Sequence, residues 1–96
     1  MPKLDVQGRI IIPAEFRDEL SWKLPKKVAL CYDFHKDLIY IHEKENCTNE
    51  FVVCFRTIDS KGRISFPEEC IRLLKASNDD FFVLFLQNNQ ILIKKA

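Results

Sequence analysis

The chain has two glycines, no excess of either charge sign, no Cys-x-x-Cys pair and no apolar run approaching the thickness of a bilayer. Each absence excludes something. With 15 Lys and Arg against 14 Asp and Glu, the net charge of +1 gives no diffuse attraction to a polyanion. Any nucleic-acid binding therefore needs arginines and lysines gathered on one face, with the acids elsewhere. The missing apolar run and the lack of a basic start followed by a hydrophobic stretch argue against a spanning helix and a secretory leader, which makes the cytoplasm the expected compartment. Cys31, Cys47, Cys54 and Cys70 are not spaced as a metal knuckle, and His35 and His42 do not complete a zinc pattern. Free thiols are expected, with Cys54 and Cys70 acting as small apolar core residues. No nucleophile stands beside a histidine base, and no glycine-rich loop matches a nucleotide fingerprint. Glu68 and Glu69 are adjacent, so on a helix they diverge and make a poor acid–base pair. The sequence thus points away from an enzyme and offers no cofactor, metal or small-molecule substrate.

What is present is a repeat. At 96 residues, 47% of them hydrophobic, the chain allows one compact domain with a modest core. Within it, Asp5, Gly8, Arg9, Ile10, Pro13 and Glu15 recur without gaps as Asp59, Gly62, Arg63, Ile64, Pro67 and Glu69, and Leu20 later meets Leu74. The two glycines occupy equivalent places. The expected division is a first copy over residues 1–43, a polar linker over 44–50 and a second copy over 51–96.

Both copies read alike. A short strand enters an Asp-x-x-Gly turn, where glycine takes positive φ without a Cβ clash. A second brief strand follows over 9–12 and 63–66. Pro13 and Pro67 suit the first helical turn, and Glu15 and Glu69 favour the positive end of the helix dipole. Phe16 and Leu20 share one helix face, as do Cys70, Ile71 and Leu74. Each helix precedes a hairpin, turning around His35-Lys36-Asp37 in the first copy and around residues 87–90 in the second. One such half is too small to bury a core and leaves strand edges unpaired, so two should interlock about a twofold axis, either within the chain or between chains.

The run Asp5, Gly8, Arg9, Ile12, Pro13, Glu15, Phe16, Arg17 and Leu20 resembles the AbrB/MazE/SpoVT group of swapped-hairpin transcription factors. Two copies, each with Asp-x-x-x-Arg, are similar to its tandem MraZ type. The second copy departs by placing Ile71 where the first has Arg17, with Arg72 next, and the chain is too short for the additional helices of the MraZ type. The resemblance implies a mostly β fold with one short helix per repeat, a swapped-hairpin β-barrel of two tandem halves forming a pseudo-dimer. It also implies a bacterial, nucleoid-associated regulator that prefers certain double-stranded, AT-biased promoter sequences and represses by occlusion. By position, the DNA-facing residues are Lys3, Arg9 and Arg17 in the first copy and Arg56, Arg63 and Arg72 in the second, with Lys61 a lesser addition inside the second turn. Guanidinium groups suit both phosphates and the guanine edge.

Each of these residues has a plainer reading. Arg9 and Arg63 could pair with Asp5 and Asp59 and only hold the turns. Arg17 and Arg72 could be solvated helix residues, and exposed Lys3 and Arg56 need no function. The rival function is a non-enzymatic protein-binding or oligomerisation module. An antitoxin of the MazE type would add a wrapping tail, for which the end at Ile93-Lys94-Lys95-Ala96 leaves no room. Trp22, Phe34 and Tyr40 could supply a sticky surface, although Trp22 is better placed for core packing.

Overall fold

Alternating apolar residues and a few punctuating turns dictate a largely β architecture. The computed structural model describes residues 2–43 and 51–96. The expected linker over 44–50, with Cys47 in it, lies outside the described residues. The elements are β1 (Arg9–Ile11), α1 (Ala14–Glu19), β2 (Lys26–Asp33), β3 (Leu38–Glu43), β4 (Phe51–Ile58), β5 (Arg63–Ser65), α2 (Glu68–Leu73), β6 (Phe82–Gln87) and β7 (Gln90–Lys95). The fold is mostly β with one short helix in each copy.

The strands form two open sheets: the pair β1-β5, and a five-stranded sheet in the order β4-β2-β3-β7-β6. The expected barrel is not closed among the described residues. Every strand pairing among the described residues is antiparallel. The register repeats the sequence offset. Ile10 lies opposite Ile64 and Ile39 opposite Ile93, and each pair joins equivalent residues of the two copies. β4, which opens the second copy, lies along β2 of the first, with Lys27 opposite Thr57. The corresponding bridge in the other direction joins Lys3 to Phe81.

Proline and backbone geometry set the helix limits. Pro13 and Pro67 stand one place before the helices, at the cap, not inside the first turn as the sequence suggested. A left-handed residue follows the C-cap of each helix, Ser21 at φ 58° after Leu20 and Lys75 at φ 55° after Leu74. The following amides close back on the helix: Trp22 N–H donates to the Arg17 carbonyl at 2.9 Å and Ala76 N–H to that of Ile71 at 3.0 Å. These bonds satisfy carbonyls that the last turn would otherwise leave open. The second hairpin reverses through Asn88 and Asn89, both at positive φ, a conformation that asparagine tolerates and a two-residue hairpin loop favours.

The main core lies between one face of the five-stranded sheet and a cover made by the β1-β5 ribbon and the helices. Val28, Leu30, Ile39, Ile41, Phe82, Ile91 and Ile93 meet Ile10, Ile12, Ile64, Phe66, Cys70 and Leu74 there. Trp22 joins this core and donates from its indole to Glu43 Oε1 at 2.9 Å, while Lys26 Nζ holds Oε2 at 3.1 Å. Tyr40 is also buried, in a second cluster with Ala29, Cys31, Leu38 and Leu92. Of the three aromatic residues expected to make a sticky surface, only Phe34 is exposed, edge-on to Phe51 at 5.2 Å. No helix among the described residues is long and apolar enough to cross a membrane.

Candidate nucleic-acid interface

The two Asp-x-x-Gly turns are built by the same hydrogen bonds. Asp5 Oδ1 accepts from the backbone N–H groups of Gln7 and Arg9 at 2.8 and 2.9 Å, and Oδ2 accepts from Arg9 Nε at 2.9 Å. Asp59 does the same with Lys61 and Arg63, at 2.9 and 2.9 Å, and with Arg63 Nε at 2.8 Å. Gly8 and Gly62 close the turns at φ 74° and 82°. The copies then exchange bonds across the ribbon: Ile12 N–H donates to the Gly62 carbonyl and Phe66 N–H to that of Gly8, both at 2.8 Å. Both aspartates titrate below their ordinary range. The largest cause is the backbone N–H of Arg9 or Arg63 on the carboxylate; partial desolvation opposes it, and the guanidinium adds to it.

The ribbon register decides where the arginines go. Ile10 and Ile64 are buried, so alternation puts their neighbours on the opposite face. Arg9 lies opposite Ser65 and Arg63 opposite Ile11, which makes these four residues the outer surface of the ribbon. The arginines are diagonal neighbours on it, with Cβ atoms on the order of 7 Å apart. Both are half-buried, and each gives its Nε to an aspartate. The pairing with Asp5 and Asp59 weighed from sequence is therefore present. It engages one nitrogen of each fork and holds the plane, leaving the terminal nitrogens for a bidentate partner.

The other sequence-assigned residues are only partly gathered. Lys61 is exposed at the tip of the second turn. Arg17 donates from Nε to the Ile12 carbonyl at 3.3 Å and lies over the second turn; a Cβ built on Gly62 would be 3.2 Å from its Cζ. Arg17 is thus neither a freely solvated helix residue nor confined to its own copy. Lys3 sits at the rim of the first turn, its ammonium 5.4 Å from the Phe81 ring centre. Arg72 is exposed on α2 and reaches Glu68 at 3.7 Å. Arg56 is half-buried on β4, where Nη1 donates to the Phe55 carbonyl at 2.8 Å, off the ribbon. It stands near the Cys54 and Cys70 thiols. Burial raises both, Cys70 to about 12, while the Arg56 charge acts in the opposite direction. Cys70 is a core residue as expected, whereas Cys54 is only partly buried.

Two residues were not singled out from the sequence. Val6 is fully exposed at the tip of the first turn, and Ile11 is 61% exposed beside Arg63. Val6 was legible as the counterpart of Ser60. Ile11 was hidden in an apolar run whose inner and outer members only the register separates. No set of three His, Cys, Asp or Glu among the described residues is placed to hold a metal ion. No family model matches the chain, and no curated protein matches it.

Proposed function

We propose that the protein binds double-stranded DNA through the outer face of the β1-β5 ribbon and its two flanking turns, as a transcription regulator of the AbrB-like type. In this reading the cross-copy strand pairing is a swapped-hairpin dimer fused into one chain, with Ile10–Ile64 and Ile39–Ile93 near its approximate twofold axis. The observation that carries the proposal is the display of Arg9 and Arg63 on one outward face, each oriented by an aspartate. A two-stranded ribbon fits the major groove, where an arginine fork matches guanine O6 and N7 or a phosphate. Phosphate contacts would fix orientation and one or two arginines would read bases, with repression by occlusion of the promoter.

The test is a gel-shift titration of Arg9→Ala/Arg63→Ala against the parent, with circular dichroism as the folding control. The folded double variant should lose binding by about 10-fold to 100-fold. Parental affinity should fall as salt rises, because neutralised phosphates release counterions. Undiminished affinity in the folded variant rejects the assignment. The second reading is a protein-binding module, favoured by the exposed Phe34–Phe51 ring pair and by Val6. Absence of DNA binding by the parent at low salt would favour it.

A further inference from the structure

The two turns share a backbone but not a surface. At the second, Lys61 replaces Gln7, Arg17 lies where Ile71 stands beside the first, and Ala14 is the counterpart of Glu68. All three differences move charge in the same direction. At the first end each ribbon or helix cation has a carboxylate: Arg9 has Asp5, and Arg72 has Glu68. Lys3, at the same rim, makes no ion pair among the described residues; its ammonium lies over the Phe81 ring, in a depression that Asp5 and Asp79 also line. At the second end Arg63 has Asp59, but neither Lys61 nor Arg17 has a carboxylate within ion-pair distance among the described residues. The tips differ in kind as well, with an exposed apolar Val6 at one and Ser60 at the other.

We infer that the ribbon reads an asymmetric DNA element, anchored by Arg17, Lys61 and Arg63 on one half-site and contacted more weakly, through Arg9 and the apolar tip of Val6, on the other. This rests on the DNA-binding reading above and adds its polarity. A fused chain can do what identical subunits cannot, since its two halves are free to diverge in charge while keeping one turn geometry. Two cations without ion-pair partners at the second end, against Lys3 alone at the first, where it is turned onto the Phe81 ring, favour phosphate at the second. A solvated valine has nothing to offer a phosphate, but it fits the C5-methyl group of thymine.

The experiment selects bound double-stranded fragments from a random pool at fixed salt, using the parent, Lys61→Gln and Gln7→Lys/Glu68→Ala. These substitutions leave the side-chain and backbone bonds of both turns in place. The parent should enrich a non-palindromic element. Lys61→Gln should weaken binding and lower the salt slope by about one. Gln7→Lys/Glu68→Ala should bind more tightly and enrich a more nearly palindromic element. In gel shifts on the parental element, Arg63→Ala should cost about tenfold more affinity than Arg9→Ala. A palindromic element for the parent, or equal losses from the two arginine variants, overturns the asymmetry and leaves DNA binding standing. No binding of the parent to any fragment at low salt overturns both.

Discussion

The aspartates that open the turns show how a single side chain organises several others. Asp5 and Asp59 each collect two backbone N–H groups and one guanidinium nitrogen, and their native pKa values are lowered as a result. A carboxyl group with a depressed native pKa adds stability that is present above its unfolded value and lost as pH falls through the native one. The contribution is therefore intact at neutral pH and disappears from about pH 4 downward. Replacing both residues in Asp5→Asn/Asp59→Asn should flatten stability across that acid range, measured as urea midpoints against pH. Unaltered steepness would mean that the turns do not titrate as described. Gly62 acts in the opposite way, by leaving room. At φ 82° a side chain is strained, and its Cβ would press on the Arg17 guanidinium, whereas a Cβ at Gly8 would meet only the Phe66 carbonyl, at 4.0 Å. Gly8→Val should cost about 1–3 kcal/mol from backbone strain, and Gly62→Val more than that. Thermal melts of the two variants would expose any reversal of that order.

Helices and hairpins were legible in the sequence to different depths. The Asp-x-x-Gly turns, the proline-headed helices and both hairpins follow from residue type and alternation, and they appear within a residue or two of where those signals place them. Helix ends did not announce themselves. Neither Ser21 nor Lys75 is a usual left-handed residue, yet both adopt that conformation because Trp22 and Ala76 must turn back into the core. Packing thus overrode backbone preference at both ends. Ser21→Gly and Lys75→Gly should each relieve that strain and stabilise the protein by about 1 kcal/mol, read from chemical denaturation. A loss of stability in both variants would show that the residues, and not the packing behind them, hold the cap. The inner and outer faces of β1 were also obscure. Ile10, Ile11 and Ile12 look alike in sequence, and only the pairing with β5 sends Ile11 outward beside Arg63 while its neighbours are buried.

Across the whole molecule, the division into two copies is a property of sequence that the packing does not respect. β1 finds its partner in β5, β2 in β4 and β3 in β7, so each copy completes its sheets with strands of the other. The small size of each half implies interlocking, but the sequence does not say whether it occurs within one chain, because hydrophobic pattern fixes faces and register without naming the partner. The physical consequence is cooperativity. Ile64 is fully buried opposite Ile10 in a cluster that also holds Ile39, Ile41, Ile91 and Ile93, so a cavity there removes contacts from both copies at once. Ile64→Ala should therefore cost about 2–5 kcal/mol and unfold the molecule in one transition. Amide exchange distinguishes this from two semi-independent halves: protection in β2 and β3, which belong to the first copy, should fall as far as protection in β6 and β7. If β2 and β3 kept parental protection in the variant, the copies would be separate folding units and the shared core would not be what couples them.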